Sequence, residues 1–205
     1  PRFIAAAAGA RDTTVPPCVV GHDEAEARLL QWFALDQWRH LLNWDQFVMV
    51  GGSVIRALLH RSFDAQDQDV DIFFTGRGDY YDWEAKYIEF LEALEHRFLV
   101  ILPEDAYETA SDGHVRTFSV DFAQKSAEVS RPSGWPRPYK KRRVDSPPRD
   151  DDAPVVKFQF IWHGFKPTVG SVFNTFDLDC CQAGFNGRVF LASHACVQSL
   201  RTGTM

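Results

Sequence analysis

The sequence lacks the features that would assign it to a membrane or to the secretory route. No apolar run approaches the roughly 20 residues that a membrane-spanning helix needs. The apolar start, PRFIAAAAGA, lacks the charged-then-apolar order of a signal peptide. The chain begins with Pro1 instead of Met, which suggests a longer gene product. We therefore expect a protein with no membrane span.

Cysteine and positive charge are also scarce. The four cysteines are Cys18, Cys180, Cys181 and Cys196. Their spacing suits neither a disulfide framework nor the paired ligands of a zinc site. We therefore expect reduced thiols and an intracellular location, cytoplasmic or nuclear, or within a virion if the protein is viral. The 22 Lys and Arg residues are outnumbered by 28 Asp and Glu, and this net charge of −6 argues against general nucleic-acid binding.

Aromatic side chains are abundant, with 17 Phe and 6 Trp among 205 residues, which is enough for one large core. Residues 1–21 carry few helix or strand signals and are predicted to form a flexible tail before one domain over residues 22–205. Residues 124–154 hold most of the prolines, a basic run and an acidic run, which predicts a mobile insertion. The strands on either side of this insertion could pair across it as a hairpin.

The spacing of apolar residues predicts both helices and strands. Helical periodicity occurs over residues 23–42, 53–61 and 80–98, and a last helix starts near residue 194. Asn186-Gly187 between two apolar stretches predicts a β-hairpin. We predict an α/β or α+β fold, a small mixed sheet flanked by helices with strand 70–75 at its centre. The other predicted strands are 47–50, 99–102, 114–122, 155–162 and 176–185.

The segment Phe47–Phe74, FVMVGGSVIRALLHRSFDAQDQDVDIFF, carries the pattern that is most informative about function. An apolar strand ends in Gly51 and Gly52; glycines let a backbone approach a phosphate, and a helix start favours anions. Asp69 and Asp71 alternate with apolar residues of the next strand and therefore point the same way. Two carboxylates at such a short distance repel each other unless a cation lies between them. The glycine turn and the aspartate pair together therefore predict metal-dependent chemistry on a nucleotide.

Each half of this pattern also has an ordinary explanation, because glycines often mark turns and paired aspartates can form a solvated strand face. The two halves in this order are more specific than either alone. Asp67 alternates with the pair as well, but Gln66 and Gln68 flank it, which places it in the preceding loop.

The order of strand, GGS, helix and DVD strand resembles the head domains of tRNA CCA-adding enzymes and poly(A) polymerases, in the DNA-polymerase-β-like nucleotidyltransferase superfamily. The later KFQFIW and FDLDCCQAGFNG resemble a nucleotidyltransferase-like group from large DNA viruses and related ankyrin-containing proteins. The resemblance covers roughly residues 25–200. The gap between GGS and DVD is a few residues longer than in the CCA-adding enzymes.

The resemblance implies a nucleotidyltransferase fold and a role for each matching residue. Asp69 and Asp71 would hold two Mg²⁺ (or Mn²⁺) ions with the help of a third carboxylate. Arg56 would meet a phosphate, although a solvated or salt-bridging arginine is at least as common. The residues that would bind the nucleoside triphosphate are Gly51, Gly52, Ser53 and Arg56.

Three residues compete for the position of the third carboxylate. Asp177 is the first choice, because Phe176 and Leu178 enclose it and the virus-like group has FD there. Asp179 shares its predicted strand face and is the substitute. Asp121 is the third candidate and could be an ordinary surface residue.

The resemblance further implies transfer of a nucleoside monophosphate from the triphosphate to a hydroxyl acceptor, with release of pyrophosphate. The acceptor stays open between nucleic acid, protein and small molecule. The alternative, motivated by the missing helical domain after Met205, is a catalytically degenerate fold. It would serve as a structural or binding module, with assembly partners in the particle of a large DNA virus. Convergence of a third carboxylate with Asp69 and Asp71 near Gly52 separates the two.

Overall fold

A mixed β-sheet forms the centre of the fold in the computed structural model, which describes residues 4–5, 18–61, 68–103, 107–110, 113–125, 153–164 and 168–202. Within these ranges nine strands are ordered β1-β9-β8-β2-β3-β7-β6-β4, and β5 pairs with β6. Only β3 and β7 pair in parallel. The strands are β1 (Ile4–Ala5), β2 (Phe47–Val50), β3 (Val70–Phe74), β4 (Phe98–Ile101), β5 (Tyr107–Ala110), β6 (Gly113–Lys125), β7 (Val155–Trp162), β8 (Ala183–Phe185) and β9 (Phe190–Ala192).

The helices flank this sheet, so the predicted α/β class with a mixed sheet and a central strand β3 is confirmed. None of the helices in the described ranges is both long enough and apolar enough to cross a membrane. The helices are α1 (His22–Phe33), α2 (Leu35–Trp38), α3 (Gly52–Leu58), α4 (Tyr80–Glu95), α5 (Val169–Phe173) and α6 (His194–Thr202).

The helix predicted over residues 23–42 is interrupted at Ala34, which adopts the left-handed conformation with φ 48°. The chain then forms α2 and a 3-10 turn, Arg39–Leu41. The interruption lets Trp38 enter the core completely, where its Nε1 donates to the Phe33 carbonyl at 2.8 Å. No glycine or proline marks this break, so tertiary packing overrides the local helical periodicity.

The two faces of the sheet differ in what covers them. Alternation along β2 sends Phe47 and Met49 into the main core with helices α1–α4, and Val48 and Val50 into a smaller cluster with α5. The main core is rich in rings, with Phe118 5.2 Å from Phe158 between centroids. On β7 the alternation buries Val156, Phe158 and Phe160 in this main core and turns Lys157 and Gln159 to the other face. The face that α5 covers therefore also carries polar side chains.

The insertion predicted near residues 124–154 lies mostly outside the described residues. The strands that flank it, β6 and β7, pair antiparallel from His114 opposite Trp162 to Asp121 opposite Val155, as predicted. Most of the predicted tail, residues 1–21, is also outside the described residues. Within it, β1 pairs with β9, and Val19 forms a bridge with Leu59.

The strand predicted over residues 176–185 is wrong for most of its length. Residues 176–178 are neither helix nor strand, Asp179–Cys181 forms a 3-10 turn, and only Ala183–Phe185 is extended. The cause is the preceding helix, because Phe176 N–H still donates to the Phe173 carbonyl and keeps the chain turning. The hairpin around Asn186-Gly187 is confirmed, since β8 and β9 pair antiparallel across it and Gly187 has φ 83°.

Candidate functional site

Asp69 lies immediately before β3 and is held from the neighbouring strand β7. Its Oδ2 accepts a hydrogen bond from Gln159 Nε2 at 2.7 Å and an ion pair from Lys157 Nζ at 3.1 Å. Its Oδ1 is buried without a hydrogen-bond partner. One oxygen of this carboxylate therefore has partners within the protein, and the other, buried oxygen has no hydrogen-bond partner in the described structure.

Asp71 lies on β3 with its side chain on the same face as Asp69, opposite Gln159 of β7. The pKa of Asp71 is raised to about 7, chiefly by burial and also by the negative charge of Asp69, while Lys157 acts in the opposite direction. Two carboxylates therefore share a poorly solvated position, and at neutral pH the second negative charge is costly. A proton or a divalent cation relieves this cost.

Gly51 brings the backbone against this pair. It has φ 87° and ψ −148°, a conformation that is essentially restricted to glycine. A β-carbon at this position would lie 3.2 Å from Asp71 Oδ2 and 3.0 Å from Cε1 of Phe176. Its N–H donates to the Ala183 carbonyl at 3.0 Å, which ties the turn to β8. Position 51 therefore requires a glycine, because of its backbone conformation and because Asp71 and Phe176 lie so close.

Gly52 and Ser53 start α3, but a side chain already lies over this turn. The amide of Gln68 packs against Gly52 so closely that a β-carbon there would be 2.0 Å from Gln68 Nε2. Ser53 is fully buried, and its Oγ has no hydrogen-bond partner. The guanidinium of Arg56 stacks on Trp32 of α1 at 4.7 Å from the ring centroid. That stacking holds the Arg56 side chain against the neighbouring helix.

The loop after α5 brings an aromatic ring to the site instead of a carboxylate. Phe176 approaches Gly51 and packs 6.0 Å from Phe73 between ring centroids. The next residue, Asp177, is exposed, and Asp179 is exposed on the 3-10 turn. The prediction that Asp177 and Asp179 lie on one face of a strand is wrong, because this segment is not a strand.

Asp121 is buried on β6, but it lies away from the pair. Thr117 is the β6 residue level with Gln159 and hence with Asp71, and Asp121 follows four positions later, opposite Val155. Four strand residues correspond to about 13 Å. The Asp121 Oδ1 accepts a hydrogen bond from the Ala123 N–H at 3.1 Å.

Asp69 and Asp71 are the carboxylates that would hold a divalent cation at this position. Carboxylate oxygens are the donors that Mg²⁺ and Mn²⁺ prefer, and Asp69 Oδ1 and the Asp71 carboxylate supply them. In the described ranges, no group of three or more His, Cys, Asp or Glu side chains is placed to hold a metal ion. Asp67 lies outside the described residues.

The cysteines form a separate, structural cluster. Cys196 is fully buried in α6, and its thiol donates to the Cys180 carbonyl at 3.4 Å. Burial, with the neighbouring thiols, raises the pKa of Cys196 to about 12, and burial raises that of Cys181 to about 11. These thiols are therefore protonated at neutral pH in the metal-free protein, as is usual for buried cysteines that pack in a core.

A surface cavity of about 640 Å³ lies elsewhere, between the 3-10 turn after α2 and the β8–β9 hairpin. Its principal cationic group, Arg39, is already paired with Glu26 at 2.5 Å and with the Gly187 carbonyl at 2.8 Å. Neither Asp69 nor Asp71 lines this cavity. We therefore place the candidate chemistry at Asp69 and Asp71.

Comparison with known protein families assigns the chain to one of them. The family model described as "Gabija anti-defense 2 family protein" matches residues 25–202, which is most of the sequence. The chain belongs to the Gabija anti-defense 2 family. Comparison with curated proteins finds no match, and comparison with solved structures finds none either.

This membership corrects the resemblance to the DNA-polymerase-β-like nucleotidyltransferase superfamily. The matching segments, GGS and DVD, are short, and the structure departs from what the resemblance implied around them. Lys157 and Gln159 face the aspartates from β7, and Gln68 covers Gly52.

Sequence reasoning missed Lys157 and Gln159, although a signal for them exists. They alternate with Phe158 and Phe160 in KFQF, which predicts that both point away from the core. The alternation of residues does not predict which strand pairs with β7. The parallel pairing of β3 with β7 turns two outward-facing residues into neighbours of Asp69.

Proposed function

We propose that this chain acts against a Gabija defence, as its family's description says, and that it does so as a metal-dependent nucleotidyltransferase. The nucleotidyltransferase activity is proposed because Asp69 and Asp71 lie together beside Gly51 on the polar face of the sheet. We also infer an intracellular site of action, in keeping with the free cysteines among the described residues.

In this proposal Asp69 Oδ1 and the Asp71 carboxylate hold a divalent cation that arrives with a nucleoside triphosphate. When bound, the cation neutralises the phosphates and the developing negative charge on the reacting oxygens. Gly51 keeps the backbone clear beside Asp71, because any side chain there would press on that carboxylate. The oxygen of an acceptor hydroxyl forms a bond to the α-phosphorus, the bond to the bridging oxygen breaks, and pyrophosphate and a proton are released.

The direct test is transfer of label from α-³²P nucleoside triphosphates in Mg²⁺ or Mn²⁺. Nucleic acid, total protein and small-molecule alcohols are offered as acceptors in separate arms. Asp71→Asn is the inactive comparison, and Asp45→Asn, at an exposed position, is the matched control. We expect transfer by the wild type and the control only. The proposed nucleotidyltransferase activity is contradicted if Asp71→Asn transfers as much label as the wild type, or if the wild type transfers none.

The anti-defence half has its own test in cells that carry a Gabija system. Expression of the wild-type chain should lower the protection that the system gives, and Asp71→Asn should lose this effect if chemistry is required. Protection that is unchanged by the wild-type chain contradicts the proposed role. Steady-state levels of both chains, measured by immunoblot, keep a folding defect from being read as a lost activity.

A second candidate function is binding without transfer, by a catalytically degenerate site. It is favoured by the side chains of Lys157 and Gln159, which already satisfy Asp69 Oδ2, and by the third-carboxylate candidates Asp177, Asp179 and Asp121, which do not join the pair. Here the wild-type chain would lower the protection in cells yet transfer no label, and calorimetry with Mg²⁺ and α,β-methylene-ATP would show binding that Asp71→Asn weakens. Membership of a virus particle stays a prediction that no described contact addresses.

A further inference from the structure

Lys157 is the one cation that the described structure places on the aspartate pair. Its Nζ lies 3.1 Å from Asp69 Oδ2, while 47% of its side chain is exposed. An ammonium on a flexible four-carbon stem with this exposure can leave its partner at little cost, since exposed ion pairs contribute about 0–1 kcal/mol. The contact is therefore suited to exchange.

Gln159 makes a different kind of contact with the same oxygen. Its Nε2 donates to Asp69 Oδ2 at 2.7 Å, from a half-buried position directly opposite Asp71. A neutral amide has no charge to be displaced by an incoming cation. Gln159 thus holds the carboxylate in place, whether or not Lys157 remains on it.

We propose that Lys157 is a positioning residue that exchanges partners: it neutralises Asp69 in the ligand-free protein and moves to the phosphate oxygens when a cation-bound nucleotide enters. This inference rests on the proposed function and assigns a role to a residue of the same site. While Lys157 lies on Asp69 Oδ2, its positive charge opposes the approach of a divalent cation to the two carboxylates. The released ammonium then lies beside the anion that accompanies the cation, and lysine contacts phosphate as a mobile point charge.

Exchange predicts opposite effects on two ligands when the charge is removed. Without the lysine charge, a divalent cation alone meets no competitor, so Lys157→Met should bind Mn²⁺ about 2- to 5-fold more tightly than wild type. A cation–triphosphate complex loses a charge-assisted contact, so the same variant should bind Mg²⁺–tripolyphosphate about 10-fold more weakly. A purely structural lysine cannot shift the two affinities in opposite directions.

The experiment is isothermal titration calorimetry with Mn²⁺ alone and with inorganic tripolyphosphate in excess Mg²⁺. Tripolyphosphate carries no base, so an unknown nucleobase preference does not affect the result. Lys157→Arg keeps the charge and should bind both ligands like the wild type. Lys86→Met, which removes a lysine from an exposed i,i+3 pair on α4, is the matched control and should change neither affinity. Thermal unfolding of each variant reports on folding.

The outcomes separate this inference from the function on which it rests. Opposite shifts in Lys157→Met, restored by Lys157→Arg, support the exchange. Affinities that fall together, or that do not move, overturn it while wild-type binding leaves the proposed function standing. If the wild type binds neither ligand, or if Asp71→Asn binds Mn²⁺ as well as the wild type does, the proposed site falls and the inference with it.

Discussion

Replacing Asp71 by Asn should make the protein more stable at pH 8 and leave its stability nearly unchanged near pH 4. Asp71 has a pKa of about 7 in the folded protein, against an ordinary value of 3.8, chiefly because of burial. A difference of about 3 pKa units corresponds to about 4 kcal/mol at 1.36 kcal/mol per unit. Residual solvent access reduces this figure, so we expect Asp71→Asn to gain about 2–4 kcal/mol at pH 8.

The sign follows from proton counts in the two states. Between pH 4 and pH 7 the folded protein keeps a proton on Asp71 that the unfolded chain has lost. The free energy of unfolding therefore falls as the pH rises through this window, by up to about 1.4 kcal/mol per pH unit, and the fall ends above pH 7. An amide at this position has no proton to lose and removes this slope.

The assay is urea unfolding followed by tryptophan fluorescence at pH 4.5, 6, 7 and 8, with a chelator present so that no divalent cation contributes. The quantity of interest is the difference between variant and wild type at each pH, in which all other titrating groups cancel. Asp45→Asn, at an exposed position, is the control and should run parallel to the wild type. A difference between Asp71→Asn and wild type that is independent of pH would refute the burial argument.

Substitutions at four further positions test the fold. Gly51→Ala should cost about 2–3 kcal/mol in urea unfolding, because its φ of 87° and two crowded neighbours both oppose a β-carbon. Gly164→Ala isolates the torsional part, since φ is 67° but nothing lies within 4 Å of the new atom, and about 1 kcal/mol is expected; equal losses would remove the crowding argument. Asp79→Ala should cost about 1 kcal/mol because it removes the capping box of α4, and Asp79→Ser should recover most of this loss. An unchanged free energy of unfolding in Asp79→Ala would mean that the capping box does not stabilise the protein. Arg116→Met should cost about 1–3 kcal/mol because it removes the cationic partner of Glu84, which then keeps the Tyr80 hydroxyl as a donor, and a double-mutant cycle with Glu84→Gln that shows no coupling would contradict this.

Local patterns predicted much of the fold. The glycine turn, the alternation around Asp69 and Asp71, and the Asn186-Gly187 hairpin were all readable, because each depends on residues adjacent in the chain. The helix break at Ala34 was not readable, since it depends on where Trp38 can be buried. The strand expected from residue 176 failed for a similar reason, because α5 and its hydrogen bonds prevail over the alternation of FDLD.

The candidate site also has features that local sequence patterns predicted and features that depend on tertiary packing. The sequence by itself determined that two aspartates share one face of a strand and that a glycine turn precedes that strand, because side-chain direction alternates along any extended chain. Only the tertiary structure decided what faces them. Lys157 and Gln159 reach Asp69 across 88 and 90 residues, through a parallel register set by the packing of the phenylalanines behind the strands. Pairing between distant strands depends on how the whole core packs, so local sequence periodicity does not predict it.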